Sequence, residues 1–330
     1  MVEPVDSSAS SAPSTYDELL PAEMAAKAQT LGIKKANLSF LSTFALAVMA
    51  GAFIALGCIF FTISQTSGGV VAPWGLMRVV GGITFSLGLI LVIVGGAELF
   101  TGNNLIIMAW ASRQLSTWRV LRNWIIVYIG NLCGAVATAL FVFWGQHYEI
   151  GNNGFTALNI GNAKLGYDWV QAMILGILCN ALVCLAVWLT YSARTVMGRI
   201  MAIVFPIAGF VAAGFEHCVA NMYFIPYAIL VRVGAPDAFW NAIGKTAGDY
   251  SSLTWGNFFI DNLIPVTIGN IIGGVFFVAL VYWVIYLRGE NKPAKKTSLQ
   301  QDYFAEKRKP RVSSGLCLLC SFFSRLIMVW

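Results

Sequence analysis

The chain has 330 residues, 58% of them hydrophobic and only 11% charged, with a mean hydropathy of +0.73 and a net charge of +6. Soluble domains carry about 25% charged residues, so a globular protein wetted on all sides is excluded and a membrane protein is expected. The basic excess is no nucleic-acid signal, because it collects in short loops and in a tail holding Lys292, Lys295, Lys296, Lys307, Arg308 and Lys309.

Residues 1–37 are polar, mixed in charge and rich in Ser, Pro and Ala. They contain no basic stretch leading into a short apolar core, so no cleavable signal peptide is expected and the first span directs insertion. Within them, 15–35 reads as an amphipathic segment that caps one mouth of whatever follows. A span needs about 20 apolar residues, and six runs qualify: 38–63, 74–97, 120–143, 169–191, 200–233 and 258–287. Between them lie turn-forming segments, among them Ser-Gly-Gly and Pro over 64–73 and Gly151-Asn152-Asn153-Gly154. The expectation is an all-α membrane protein with one six-span domain over 38–288, flanked by the 1–37 segment and a 289–330 tail.

Basic residues cluster on alternate connections. Lys27, Lys34 and Lys35 precede the first span, Arg113, Arg119 and Arg122 follow the second, Arg194 and Arg199 the fourth, and Arg288 and Lys292 the sixth. By the positive-inside rule both termini are expected in the cytoplasm. Cys58, Cys133, Cys179, Cys184 and Cys218 lie inside apolar runs and read as small hydrophobes rather than a disulfide framework. Cys317 and Cys320 have no second pair and no nearby His, so neither a metal nor another cofactor is expected. The apolar run that closes the chain is too short to span and is assigned no role.

The two halves repeat. Near the end of the second span, Gly95-Gly96-Ala97-Glu98-Leu99-Phe100-Thr101-Gly102-Asn103 interrupts the apolar run. In the fifth, Gly214-Phe215-Glu216-His217-Cys218-Val219-Ala220-Asn221 does the same, again with Asn five positions after Glu. Spans three and six carry Gly130-Asn131-Leu-Cys133-Gly134 and Gly269-Asn270-Ile-Ile-Gly273. This is the signature of an inverted three-plus-three repeat with broken helices two and five. Irregular backbone at membrane depth survives only where protein buries it or it lines a wet cavity. A half-helix N-terminus there suits an anion.

Ionisable residues inside spans default to function, and Glu98, Glu216 and His217 are the clearest here, with Asp261 near the start of the sixth span. A pore role suits His217, set against a neutral ring satisfied by a neighbouring hydroxyl or amide. The two glutamates are expected to be structural, because a bare carboxylate would repel an anionic cargo. Each should point away from the pore and accept backbone N–H groups at its break, or be neutralised there. Asn103 and Asn221 belong to the same breaks. Asn180, Asn221, Asn262 and Asn270 are pore donors or interhelix links, with Asn180 the best placed for the pore. Phe85, Leu89, Leu99 and Phe210 read as packing or as a hydrophobic gate.

Residues 19 to about 288 resemble the formate/nitrite transporter family, on the side of its bacterial formate channels. The likeness rests on Phe85-Ser-Leu-Gly-Leu-Ile90, Gly96-Ala-Glu-Leu-Phe-Thr101, Gly130-Asn-Leu-Cys-Gly-Ala135, Gly214-Phe-Glu-His217, Ala220-Asn-Met222 and the long run from Asp261 to Gly274. It implies an aquaporin-like protomer with its own pore, assembled as a homopentamer in the bacterial inner membrane. It further implies Thr101 and His217 at the pore centre, Phe85, Leu89, Leu99 and Phe210 as apolar constrictions, Asn180 in the pore wall, and Lys35 and Lys164 near the two mouths. Formate is the implied cargo, with other short monocarboxylates as further passengers, and permeation is expected to depend on pH at the central His. That ring either lends a proton to the anion or stays charged and attracts it. A nitrite channel of the same family and a proton-coupled carrier are the alternatives. An aquaglyceroporin is disfavoured by the absence of Asn-Pro-Ala at the breaks. No catalytic residue is expected, since one membrane His has no nucleophile or metal partner at useful spacing.

Overall fold

The computed structural model describes residues 18–66 and 72–289, and expectations for the tail and for 1–17 fall outside them. Among the described residues the chain is helical throughout, with six helices long and apolar enough to cross a membrane. A first helix, α1 (Pro21–Ala36), precedes the spans α2 (Phe40–Gln65) and α3 (Trp74–Gly95). A 3-10 turn over Gly102–Ile106 and the short α4 (Ile107–Ala111) then lead to α5 (Thr117–Trp144). The second half begins with α6 (Asn153–Lys164), continues through α7 (Trp169–Ser192) and α8 (Val196–Ala213), and resumes after a break as α9 (Cys218–Gly234) and α10 (Asp237–Ile243). The last span joins α11 (Trp255–Asn257), α12 (Ile264–Gly274) and α13 (Leu280–Tyr286) through π-helical stretches at Phe258–Leu263 and Val275–Ala279.

Capping sets the starts. Ser39, Ser116, Asp168 and Thr195 each accept a backbone N–H from the first turn of α2, α5, α7 and α8, the standard role of short polar side chains at a helix N-terminus. Glycine sets two of the ends. Gly96 (φ 84°) and Gly214 (φ 78°) close α3 and α8 in the left-handed conformation, which costs glycine little and a Cβ-bearing residue more. The single run expected over 200–233 is therefore two helices, α8 and α9, neither of which completes the run alone.

The main packing pairs are α2 with α5, α7 with α12, α3 with α8, and α2 with α3. Small residues permit the first two. A Cβ at Gly134 would overlap the Val48 carbonyl on α2, and one at Gly273 would overlap the Ile177 carbonyl on α7, so each pair meets backbone to backbone. Phe141, Trp144, Phe205, Phe276 and Phe277 are among the large apolar side chains left exposed, as expected of a surface that faces lipid rather than water.

Candidate functional site

Each break is held by one asparagine from a neighbouring helix. Asn131 of α5 accepts the Phe100 N–H (2.9 Å) and donates to the Ala47 and Glu98 carbonyls (2.8 and 2.9 Å). Asn270 of α12 accepts the Cys218 N–H (2.9 Å) and donates to the Gly176 and Glu216 carbonyls (2.8 and 2.9 Å). Both asparagines are fully buried. They satisfy backbone groups that an interrupted helix leaves open.

The glutamates are neutralised, and by side chains rather than by backbone N–H groups. Glu98 pairs with Lys35 of α1 (2.9 Å) and accepts from the Asn103 amide (2.7 Å), which also reaches Asn123 of α5 (3.0 Å). Glu216 pairs with Lys164 at the end of α6 (2.8 Å) and accepts from the Asn221 amide (2.7 Å), which reaches Asn262 (2.7 Å). Asn123 and Asn262 each close the ring by donating to the backbone carbonyl of the lysine, at 3.4 and 2.9 Å. So Lys35 and Lys164 are at once cavity residues and the partners of the glutamates.

Two cavities approach the breaks from opposite ends. One, about 300 Å³, is lined by Lys27, Leu31 and Lys35 of α1 together with Leu89, Leu99 and Arg199. The other, about 150 Å³, is lined by Arg78, Phe85, Lys164, Phe210, Glu216 and His217. Arg78 lies near the start of α3 and Phe85 at its middle, with Leu89, Val92 and Ile93 towards its end. With 1.5 Å of rise per residue, the cavities are therefore strung along the length of that helix. Lys27, on α1, donates to the Tyr191 carbonyl (2.7 Å). Burial lowers its pKa, aided by Arg199 and Arg194 nearby.

Between the cavities the wall is apolar and tight. The Phe85 and Phe210 rings meet edge to face, 5.8 Å apart, and Phe210 lies 6.0 Å from the His217 ring. Leu89 and Leu99 are buried on the side of the larger cavity. His217 Nε2 lies 2.9 Å from Thr101 Oγ1, joining the two broken helices. Its other nitrogen, Nδ1, accepts the Ala220 N–H (3.1 Å) and caps α9. An Nδ1 that accepts carries no proton, so the proton of a neutral ring sits on Nε2 and is donated to Thr101. The hydroxyl proton of Thr101 is then free to point elsewhere.

Asn180 ties helices together. It is fully buried and lines neither cavity. Its amide donates to Asn104 (2.8 Å) and to the Asn270 carbonyl (2.6 Å), linking α7 to the first break and to α12. Asn123, Arg78, Lys27 and Arg199 escaped the sequence reading of the site. Asn123 had a signal, since it precedes Asn131 by the same interval as Asn262 precedes Asn270. Among the described residues no cluster of His, Cys, Asp or Glu could hold a metal ion.

Known proteins resemble this chain over most of its length. The profile of the family described as formate/nitrite transporter matches residues 22–284. The formate channel FocA of Escherichia coli (strain K12) is 47% identical over 83% of this chain and 96% of its own. FocA of Haemophilus influenzae is 40% identical over 79% and 93%. A solved structure described as a pentameric formate channel with formate bound superposes with a TM-score of 0.72, at 43% identity, over 76% of this chain and 98% of that one.

Proposed function

The chain belongs to the formate/nitrite transporter family, and from that premise we propose that it passes formate, and other short monocarboxylates, through a pore within each protomer. The protomers form a homopentamer in the bacterial inner membrane with both termini in the cytoplasm, the α1 side facing inward. The positive-inside bias supports that orientation, and the pentameric formate channel it resembles supports the assembly. Helix α1 covers the inner cavity.

The observation that carries this reading is the Thr101–His217 contact, set between two cavities that each hold basic residues, with Phe85 and Phe210 beside it in one and Leu89 and Leu99 lining the other. Basic residues at the mouths gather anions. An apolar ring makes the passage of a bare charge costly, and it gates by dewetting. At the centre, His217 donates its Nε2–H to Thr101, which leaves the Thr101 O–H to offer a hydrogen bond to one oxygen of a carboxylate. The Lys35–Glu98 and Lys164–Glu216 pairs hold the breaks open without presenting a bare carboxylate to the cargo.

The cap on α9 bears on proton linkage. A second proton on His217 would sit on Nδ1 and face the Ala220 N–H, donor against donor. The resting ring is therefore neutral and serves as a hydrogen-bond donor. Passage in which an imidazolium lends its proton to the anion requires that the cap open.

Formate uptake into proteoliposomes between about pH 5 and pH 8, the range in which an imidazole titrates, tests the proposal. The intact protein should take up formate, and His217→Ala should lose or redirect the pH response. Identical profiles would make His217 purely structural. Uptake of nitrite without formate would move the chain to the other branch of its family.

A further inference from the structure

Arg78 has no part in the matched lysine–glutamate rings, yet it lines the α6-side cavity with Phe85, Phe210 and His217. It projects from the first half of α3 and is half-buried. Its Nε donates to the Ala212 carbonyl (3.2 Å) and its Nη2 to the Val211 carbonyl (2.5 Å), the last turn of α8 before the break. The guanidinium lies 5.5 Å over the Phe61 ring. Among the described residues the ion pairs are Lys35–Glu98 and Lys164–Glu216, so in this cavity the charge of Lys164 is matched and that of Arg78 is not.

The geometry decides what Arg78 has left to give. A guanidinium carries five N–H donors in a rigid plane, arranged as two forks. The side fork, Nε with one Nη2 proton, is taken by the two α8 carbonyls. The end fork, one Nη1 and one Nη2 proton, has no partner among the described residues, and this is the edge that matches both oxygens of a planar carboxylate. The α8 carbonyls and the Phe61 ring fix the plane, so little freedom is lost on binding.

We propose that Arg78 is the anion-receiving residue of the α6-side cavity, engaging a planar monocarboxylate through its free fork before the anion meets the Phe85–Phe210 constriction. The assignment rests on the reading that the protein passes such anions. It gives the smaller cavity a selectivity for planar, two-oxygen anions that a lysine at the mouth would not impose.

The test is the concentration dependence of formate uptake in proteoliposomes, with chloride as competitor. Arg78→Gln should raise the half-saturating formate concentration about tenfold, the loss expected for one charge-assisted contact. Arg78→Lys keeps the charge and loses the fork; it should raise that concentration about threefold and strengthen competition by chloride. An unchanged half-saturating concentration in Arg78→Gln, with only the maximal rate lowered, would make Arg78 a mere anchor of α8 and overturn the proposal. If Arg78→Gln fails to assemble, Arg78→Lys decides, and formate and chloride dependence identical to the intact protein's overturns it. No formate uptake by the intact protein would instead overturn the substrate reading, a result separable from the others.

Discussion

At the break after α3, Asn131 holds one N–H and two carbonyls, and Lys35, Glu98, Asn103 and Asn123 form a closed ring. At the break after α8, Asn270 holds the same three backbone groups, and Lys164, Glu216, Asn221 and Asn262 form the same ring. The residues between these fixed points differ. The position after each glutamate is Leu99 in one half and His217 in the other, and the third position is Thr101 against Val219. Counting from the carbonyls held by the two asparagines, Asn180 of α7 stands where α2 has Gly51. What matches is what satisfies the backbone of an interrupted helix, and what differs is the set proposed to line the pore or to brace it. A membrane pore built on a repeat needs the first set twice, because both breaks lack water to bond their peptide groups. It needs the second set only once.

This comparison is most severely tested at the asparagines. Asn131→Leu strands one N–H and two carbonyls, each at about 1–3 kcal/mol, so the loss should exceed about 3 kcal/mol and lower the thermal midpoint and yield of the detergent-solubilised protein sharply. Asn270→Leu should match it to within about 1 kcal/mol. A tolerated substitution in one half alone would break the equivalence of the two breaks.

The rings should be nearly but not fully equivalent. The Lys164 side chain is 15% exposed beside a glutamate at 3%, whereas Lys35 is 29% exposed beside one at 6%. Lys35 also donates to Oδ1 of the Asn103 side chain, while Oδ1 of Asn221 has no partner among the described residues. Removing one member of a buried pair leaves an uncompensated charge, and solvent relieves it in proportion to exposure. Lys164→Met should therefore cost about 2 kcal/mol and Lys35→Met about 1 kcal/mol, read from the same thermal midpoints. The reverse order would mean that the Asn103 contact, not burial, sets the strength of the ring.

Much of the matched set is legible in the residue order. The Glu-to-Asn interval and the Gly-Asn-x-x-Gly pairs mark both breaks and the helices that brace them, because backbone repair demands particular residue types at particular spacings. The rings were only half legible. Lys35 and Lys164 sit on α1 and α6, outside the spans, and pairing between distant segments leaves no local trace. Gly151-Asn152-Asn153-Gly154 reads as a loop, yet α6 begins at Asn153 within it, since tertiary contact with α9 outweighs weak local preference. The contacts of Asn180 were not legible, because an asparagine in an apolar helix has the same appearance whether it faces a pore or a neighbouring backbone. Nothing in the residue order singles out Arg78, because its carbonyl partners on α8 lie in the other half of the chain.

The smallest expected effect separates the two duties of His217, which caps α9 through Nδ1 and meets Thr101 through Nε2. Asparagine is a good helix N-cap but is too short to keep both contacts. His217→Asn should therefore hold the thermal midpoint of the intact protein, while His217→Ala loses the cap and about 1 kcal/mol. Both should disturb formate uptake alike, because both remove the Nε2–H donor from Thr101. If the two variants instead diverge in transport as they do in stability, the contact across the breaks matters only through the order it lends to α9. The single unmatched histidine would then belong with the scaffold that the two halves share.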